Sequence, residues 1–390
     1  MGKIKVFFGK AFTFFDIAFT PLIFLLSKLT PRDPYTWVFI GWHRSSKIEI
    51  FADNTKYLFL YTHKNLKRVK PVWLAKDRTL AALLRERGYN SYYEHSLKGI
   101  YYALRAKYTF LDAFLQRQNY RLTGRGKIMQ LLHGKGMKKK GYDEVQLRPQ
   151  DYIFAPSQFV IGLLPSSFTI KSKILVTGYS RSDEIYADIE GSDISVCTET
   201  LQSLKEKKEQ EVKTLWYAPT FRRGQKVFDI EKVLEVSKLS AWLKEKNLHL
   251  YISLHPKYRD QARSASYENI SFFEDSDVYP LMKYFDIQIT DYSSSFTDYI
   301  LLDRPIIFYP YDIEDYTKNE GFSFDYDSHT PGPKAYDPKG LRDQIENVLT
   351  EDKHTEARKE IRDLYHDFKD AHSSRRIIDA IEKEEGLTLS

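Results

Sequence analysis

The residues most able to do chemistry follow short apolar runs that are typical of buried strands. The run Ile287–Thr290 leads into Asp291 and then into Ser293, Ser294 and Ser295, after which an apolar helical pattern begins. A strand that ends at a helix start brings free backbone N–H groups and the positive end of the helix dipole to one point. That arrangement suits a phosphate, although Asp291 and the serines are also typical helix caps. Three consecutive serines exceed what a cap needs, so we interpret this segment as a phosphate site.

Two histidines also follow strand-like runs. His133 precedes a glycine-flanked basic loop, and its imidazole could take a proton from an attacking alcohol. His255 lies in Leu-His-Pro-Lys, where it either donates a hydrogen bond to a phosphate or is an ordinary turn residue. Arg222 and Arg223 follow another run and could neutralise a diphosphate, with one of them facing solvent. Ligands of open parallel sheets sit outside the carboxyl ends of the strands, so these residues are expected to converge.

Strand-like runs alternate with helical patterns along the chain, which predicts an α/β fold with mainly parallel sheets covered by helices. The strands predicted in the first half are Trp37–Ile40, Tyr57–Tyr61, Val72–Ala75, Tyr108–Leu111, Ile128–Leu132, Ile153–Ala155 and Ile174–Thr177. After a polar segment, Asp193–Lys213, the strands predicted are Thr214–Ala218, Leu248–Leu254, Ile270–Phe273, Ile287–Thr290 and Ile306–Tyr309. Single helices are expected at Ile230–Lys246 and Thr355–Lys383. The predicted domains are residues 31–205 and 206–390, preceded by a separate segment, residues 1–30.

Composition excludes several classes of protein. Hydrophobic residues make up 42% and charged residues 29%, as in ordered globular proteins. The single cysteine, Cys197, excludes an intramolecular disulfide, and no paired-Cys or HExxH spacing predicts zinc. A Walker A pattern, a GxGxxG after a strand and a GxSxG elbow are all missing, which argues against ATPase, dinucleotide-binding and hydrolase readings. The basic residues form loops at strand ends and no continuous face, so nucleic acid is not an expected partner.

The first thirty residues are expected to associate with a membrane. Residues 6–29 are mostly apolar but are interrupted by Lys10, Asp16 and Pro21. The uninterrupted part, Ile17–Leu26, is shorter than the roughly 20 apolar residues that span a bilayer. The phenylalanines that share one helical face are Phe7, Phe8, Phe12, Phe15 and Phe19. We interpret residues 1–30 as an in-plane amphipathic helix on an anionic membrane surface; a helix docked on the protein's own core and a membrane span are the alternatives.

Taken in order, the strand-end motifs resemble those of the CDP-glycerol:poly(glycerophosphate) glycerophosphotransferase family. The resemblance runs from about Trp37 to Pro333. Its main motifs are Asp53-Asn54, His133-Gly134, Gly178-Tyr179-(x)-Arg181-(x)-Asp183, Tyr217-Ala218-Pro219-Thr220, Leu254-His255-Pro256 and Ile289-Thr290-Asp291-Tyr292-Ser293-Ser294. The family commonly has Thr-Pro where Lys135-Gly136 stands in this sequence.

The resemblance implies a GT-B-type fold, in which two Rossmann-like domains face a central cleft. It implies transfer of an alditol phosphate, glycerol phosphate foremost, from CDP-glycerol or CDP-ribitol to a hydroxyl of a polyprenyl-linked saccharide or polymer, with release of CMP. Such enzymes act in teichoic acid or capsule synthesis, so a peripheral position on the cytoplasmic face of the cell membrane is expected. The alternatives are a GT-B glycosyltransferase with a nucleotide-sugar donor, and a membrane-docked scaffold or nucleotide sensor without turnover.

Site roles follow from the same resemblance. His133 matches the general base, and His255 is the second expected catalytic residue. The expected donor-binding residues are Pro219, Thr220, Arg222, Arg223, Asp291, Ser293, Ser294, Ser295 and Glu320. The expected acceptor-binding residues are Lys135, Lys138, Lys139, Arg181 and Asp183. No metal ligand and no certain cofactor is assigned, and the resemblance leaves a divalent cation open.

Overall fold

The chain folds around two parallel β-sheets. The structure is a computed structural model that describes residues 25–41, 49–113, 122–134, 137, 150–165, 169–220, 222, 229–254, 267–273 and 277–389. Most of the expected membrane segment, residues 1–24, therefore lies outside the described residues. Within the described ranges, no helix combines the length and the hydropathy that crossing a bilayer requires.

The first sheet has seven strands in the order β3-β2-β1-β4-β5-β6-β7. Their bounds are β1 Asp33–Ile40, β2 Lys70–Ala75, β3 Ser91–Tyr93, β4 Ala106–Leu111, β5 Lys127–Gln130, β6 Tyr152–Ala155 and β7 Lys173–Val176. The helices between them are α1 Asp53–Asn65, α2 Arg78–Glu86, α3 Leu97–Arg105 and α4 Gln158–Gly162, and a 3₁₀ turn at Ser180–Ser182 leads into α5 Asp183–Tyr186. Trp37, Val38 and Phe39 of β1 are buried in succession because helices cover both faces of the sheet.

The second sheet has five parallel strands in the order β10-β9-β8-β11-β12. Their bounds are β8 Lys213–Ala218, β9 Leu248–Ser253, β10 Ile270–Phe273, β11 Ile287–Thr290 and β12 Ile306–Phe308. The helices of this part are α6 Thr198–Glu209, α7 Ile230–Leu234, α8 Val236–Glu245, α9 Tyr279–Met282, α10 Phe296–Tyr299, α11 Ile313–Asn319, α12 Pro338–Thr350 and α13 Thr355–Tyr365. A 3₁₀ turn, Ile300–Leu302, extends α10.

Both sheets reverse their strand order at one point, which is the feature that places ligand sites in Rossmann-like folds. In the first sheet the reversal lies between β1 and β4, and in the second it lies between β8 and β11. The crevice outside the carboxyl ends of the strands at such a reversal is where ligands bind. The expected α/β fold with two parallel sheets is thereby confirmed.

The last helix, α14 (Ser373–Glu385), returns from the second half of the chain to the first sheet. Its side chains Ile377, Ile378 and Ile381 pack in one apolar cluster with Trp37 and Phe59. Conversely, Leu204 of α6 packs with residues of the second sheet. The division at residue 205/206 stays a prediction, although the apolar side chains of the C-terminal helix pack with the first half of the chain.

Some predicted elements were wrong. Tyr57–Tyr61 lies inside α1 and forms no strand; its apolar run resembles a buried strand because Tyr57, Leu58, Phe59 and Leu60 are all buried. The helix expected at Ile230–Lys246 is interrupted by Glu235, whose φ of +48° ends α7. The helix expected at Thr355–Lys383 is two helices, α13 and α14, separated by residues 366–372. The three-residue strand β3 was not predicted.

Candidate active site

His133 follows β5 at the carboxyl edge of the first sheet, in a sharply turned segment. Leu132 has φ +61° and Gly134 has φ +96°. The half-buried imidazole has its Nδ1 atom 3.0 Å from the backbone carbonyl oxygen of Asp112. A carbonyl oxygen can only accept a hydrogen bond, so in the neutral ring Nδ1 carries the proton and Nε2 carries the lone pair. The neutral side chain therefore has its basic nitrogen at Nε2.

Asp112, the residue directly after β4, is held by the start of α1. Its Oδ1 atom accepts a hydrogen bond from the Thr55 N–H at 3.0 Å, and its Oδ2 atom is hydrogen-bonded to the Thr55 hydroxyl. Burial raises the pKa of Asp112 well above its usual value, and the nearby charge of Asp53 acts in the same direction. The carbonyl group that orients His133 is thus fixed by a buried contact between β4 and α1.

Asn54 connects three segments of the first half at this edge. Its side-chain amide donates to the carbonyl oxygens of Leu131 and Leu132 at 3.3 and 2.8 Å. Its side-chain oxygen accepts a hydrogen bond from the Arg181 N–H at 3.1 Å, and its carbonyl oxygen accepts one from the Ser180 hydroxyl at 2.9 Å. The side chain therefore holds the His133 segment against the segment after β7.

Arg181 links the two sheets. Its Nη1 atom donates to Asp53 Oδ1 at 2.6 Å, whereas its Nε and Nη2 atoms donate to the two carboxylate oxygens of Asp298 at 3.1 and 3.0 Å. Asp53 begins α1 of the first half, and Asp298 lies in α10 of the second. The guanidinium also lies 4.5 Å from the ring centre of Tyr179. One buried cation, 1% exposed, therefore bridges the two halves of the site.

Arg181 and Asp183 follow β7, and both are buried and paired within the protein. Both were expected to bind an acceptor, but Asp183 is 3% exposed and accepts hydrogen bonds from the N–H groups of Ser373 and Ser374 at 2.8 and 2.9 Å. Asp183 thereby caps the start of α14, and Arg181 is enclosed by its carboxylates. Contact with an acceptor stays a prediction that the surroundings of neither residue support.

At the carboxyl edge of the second sheet, Arg222 is likewise enclosed by carboxylates. Its Nη2 atom donates to Asp291 at 2.8 Å, and its Nε atom donates to Asp312 at 2.7 Å. Its Nη1 atom donates to the carbonyl oxygen of Thr220 at 2.6 Å. The N–H of Thr220 in turn donates to Asp291 at 2.8 Å. Two carboxylates already balance this cation, so the structure gives no support to the expectation that Arg222 neutralises a diphosphate.

The three serines lie directly beyond β11, as expected. Ser293 Oγ accepts a hydrogen bond from the Ser295 N–H at 3.3 Å, and Ser295 Oγ accepts one from the Gln288 amide at 2.9 Å. Ser295 gives no side-chain cap to α10. The reading of the serines as simple caps is therefore not supported for Ser295, and phosphate binding stays a prediction.

The remaining expected residues are partly described. Pro219 directly follows β8, and the N–H of Glu320, at the end of α11, donates to the Tyr316 carbonyl oxygen at 2.9 Å. The expected site residues that lie outside the described residues are Lys135, Lys138, Lys139, Arg223 and His255. Among the residues that are described, no group of three or more His, Cys, Asp or Glu side chains is arranged to hold a metal ion.

The two edges meet at the Arg181 guanidinium. A Cβ atom added to Gly134, next to His133, would lie 3.0 Å from Arg181 Nη2. The same guanidinium pairs with Asp298, three residues beyond the last of the serines. The structure therefore brings together the segment of His133 and the segment of the serines, which the sequence placed at the ends of two separate sheets.

The sequence analysis did not assign a site role to four carboxyl residues of this site: Asp53, Asp112, Asp298 and Asp312. Asp53 was noted only as part of a resemblance, and Asp298 follows no strand. Asp112 directly follows the predicted strand Tyr108–Leu111, so the strand-end rule applied to every strand would have found it.

Comparisons with known proteins identify the family. A family model described as CDP-glycerol:poly(glycerophosphate) glycerophosphotransferase matches residues 29–383. The chain is 26% identical over 340 residues to a teichoic acid poly(glycerol phosphate) polymerase of Bacillus spizizenii, which covers 80% of this chain and 83% of that protein. It is 32% identical over 234 residues to a teichoic acid ribitol-phosphate primase of the same organism, with 59% of each chain covered.

A solved structure has the same fold. The wall teichoic acid polymerase TagF superposes with a TM-score of 0.72 at 22% identity, covering 95% of this chain and 94% of that one. The family model spans most of the chain and includes the segments of His133, Arg181 and the serines. The chain therefore belongs to the CDP-glycerol:poly(glycerophosphate) glycerophosphotransferase family and is an enzyme of this phosphotransferase class.

Proposed function

We propose that this enzyme transfers an alditol phosphate, glycerol phosphate foremost, from a CDP-alditol to a hydroxyl of a lipid-linked cell-wall polymer and releases CMP. Support comes from the family description and from relatives named as glycerol phosphate and ribitol phosphate enzymes of teichoic acid. The donor is CDP-glycerol or CDP-ribitol. The acceptor is a polyprenyl-linked saccharide or polymer.

The observation that carries the proposal is the hydrogen bond between His133 Nδ1 and the Asp112 carbonyl oxygen, at 3.0 Å. This contact supports Nε2 as the atom that takes the proton from the acceptor hydroxyl. The acceptor oxygen then forms a bond to the phosphorus that carries the alditol. The bond from that phosphorus to the oxygen bridging the two phosphates breaks, and CMP leaves with the electron pair. One proton passes to His133, so atoms and charges balance.

The diphosphate requires positive potential that Arg181 and Arg222 do not provide, because each pairs with two carboxylates. The turn of Ser293–Ser295 lies at the start of a helical segment, where backbone N–H groups suit a phosphate. In the structure the Ser295 N–H donates to Ser293 Oγ, so a phosphate oxygen would replace that hydroxyl as its acceptor. Donors of this kind are fixed before the reaction, so they stabilise developing charge without reorganising. His255 and Arg223 remain proposed contacts of the donor phosphates.

An assay of nucleotide release tests the proposal. The purified full chain is incubated with CDP-glycerol, CDP-ribitol or a UDP-sugar in the presence of lipid-linked acceptor, and CMP and UDP are measured. We expect CMP from a CDP-alditol and no UDP. UDP release without CMP would favour the nucleotide-sugar glycosyltransferase, and donor binding without any product would favour a nucleotide sensor.

A pair of histidine variants tests the role of His133. His133→Asn should lower turnover by about two or more orders of magnitude while donor binding survives. His63→Asn is the matched control, because His63 lies on the exposed side of α1 and should leave turnover unchanged. Near-normal turnover of His133→Asn would remove the residue from the mechanism.

We further propose that the enzyme acts as a peripheral protein on the cytoplasmic face of the cell membrane, bound through residues 1–30. Flotation with anionic liposomes should carry the full chain to the lipid layer but leave a chain without residues 1–29 behind. Equal flotation of the two forms would contradict this location.

A further inference from the structure

A second group of titratable side chains lies at the carboxyl ends of β2 and β3, apart from the catalytic histidine. Glu49 lies beside the end of β2, where its Oε2 atom accepts hydrogen bonds from the N–H groups of Lys76 at 2.6 Å and Asp77 at 3.2 Å. Glu94 directly follows β3, and its N–H donates to the Ala75 carbonyl oxygen at 2.8 Å. The group therefore lies at the carboxyl edge of the first sheet, beside the reversal of strand order between β1 and β4 where ligands of such folds bind.

Glu49 contributes a buried carboxyl oxygen to this group. The residue is 5% exposed, and its Oε1 atom has no hydrogen-bond partner among the residues that the structure describes. Buried polar atoms are nearly always hydrogen-bonded, so an unpaired carboxyl oxygen at a ligand-binding edge indicates a partner from outside the chain. Burial also raises the pKa of Glu49 to about 7, so near neutral pH the carboxyl group can either accept or donate a hydrogen bond.

The charge of this group selects the kind of ligand. Burial lowers the pKa of Lys76, and the attraction of the Glu94 and Glu49 carboxyl groups partly offsets this effect. His95, with a side chain 30% exposed, lies 3.6 Å from Glu94. Among Glu49, Lys76 and Glu94 themselves, two carboxyl groups stand against one amine, so these three side chains give a phosphate no net positive charge. Hydroxyl groups, which donate and accept, suit this combination.

We propose that Glu49, together with Lys76 and Glu94, binds an uncharged polyhydroxyl unit of the acceptor, that is, a sugar residue and not a phosphate. This inference rests on the proposed function and adds the class of group that the enzyme recognises away from the reacting hydroxyl. In the sheet, β2 lies three strand positions from β5, the strand that His133 follows. At ~4.8 Å per strand, the ends of β2 and β5 are about 14 Å apart. The bound sugar therefore belongs to a part of the acceptor distant from the hydroxyl that is phosphorylated.

The variant Glu49→Gln tests this inference. A glutamine oxygen can keep the hydrogen bonds to the backbone of Lys76 and Asp77, while the amide NH₂ takes the place of the unpaired oxygen. Two acceptors with the same alkyl chain are compared, an uncharged disaccharide glycoside and a glycerol phosphate oligomer. We expect Glu49→Gln to raise the KM for the disaccharide glycoside about tenfold, the scale of one hydrogen bond to a charged group. The KM for the oligomer and the KM for CDP-glycerol should change less than about twofold.

Glu86→Gln, at the exposed end of α2, is the matched control and should leave all three KM values unchanged. An unchanged KM for the disaccharide glycoside in Glu49→Gln, or an equal rise for both acceptors, overturns the inference. So does a wild-type enzyme that releases CMP but neither uses nor binds the disaccharide glycoside at millimolar concentration. If no CDP-alditol gives CMP, the proposed function fails instead, and calorimetric binding of the disaccharide glycoside to wild type and Glu49→Gln then decides the inference by itself.

Discussion

Removal of the Arg181 side-chain charge should destabilise the whole protein far more than removal of a surface arginine. Arg181 is 1% exposed and donates to Asp53 at 2.6 Å and to Asp298 at 3.0 and 3.1 Å. In Arg181→Met these two carboxylates lose the cation between them. Loss of one partner from a buried ion pair costs about 3–5 kcal/mol, because the other charge stays buried and unpaired. We expect the free energy of unfolding to fall by that amount.

Urea unfolding followed by circular dichroism and by tryptophan fluorescence measures this change. Arg87→Met is the matched control: Arg87 pairs with Asp193 at 2.9 Å, but both side chains are about half exposed, so the cost should stay below about 1 kcal/mol. Arg181→Lys keeps the charge but not the planar fork, and it should lie between the two, at about 1–3 kcal/mol. The double variant Arg181→Met with Asp298→Asn should recover part of the loss, since one unpaired charge is removed.

The pH dependence gives an independent check. Burial raises the pKa of Asp298, and Arg181 acts in the opposite direction. Without Arg181 the pKa of Asp298 should rise further, so the folded protein takes up a proton that the unfolded chain does not hold. The difference in free energy of unfolding between wild type and Arg181→Met should therefore become smaller as the pH falls from 7 towards 5. If the free energy of unfolding of Arg181→Met at pH 7 lies within about 1 kcal/mol of the wild-type value, Arg181 does not bridge the two halves of the site.

Three further outcomes are expected. Asp112→Ala should lower kcat ten- to a hundredfold with donor binding retained, because the carbonyl oxygen that orients His133 shifts. Asp112→Asn should retain more activity than Asp112→Ala. Single-turnover kinetics measure both variants. Burial raises the pKa of Glu49 from 4.5 to about 7, so the folded protein holds this proton more tightly than the unfolded chain. The free energy of unfolding of wild type should therefore fall by about 3 kcal/mol relative to that of Glu49→Gln as the pH rises from 4.5 to 7. Parallel pH profiles of the two proteins would contradict this. Arg222→Met should cost about 3–5 kcal/mol in urea unfolding, because Asp291 loses its buried cation; a loss no larger than that of Arg87→Met would contradict the pairing.

The strands could be predicted from the sequence because parallel strands covered on both faces are continuous apolar runs. The same property misled the prediction at Tyr57–Tyr61, where the buried segment is a helix enclosed by the sheet and by α14. The strand-end rule located His133 and the serines. It also marked Arg222 and Asp291 as strand-end residues. Their pairing with each other, and that of Arg222 with Asp312, joins segments distant in sequence, and no local pattern predicts such a pairing.

At the carboxyl edge of each sheet, a buried arginine is paired with two carboxylates. Arg181 pairs with Asp53 and Asp298, and Arg222 pairs with Asp291 and Asp312. Both arrangements leave one negative charge more than positive, so neither arginine supplies net attraction to a diphosphate. Their effect is geometric, since each fixes the backbone segments that carry the proposed base and the proposed phosphate turn. Contact of Arg181 with an acceptor and of Arg222 with a donor stays a prediction. Phosphoryl transfer depends mainly on positioning and on dipoles fixed in advance, and the two paired arginines are suited to hold these segments in place.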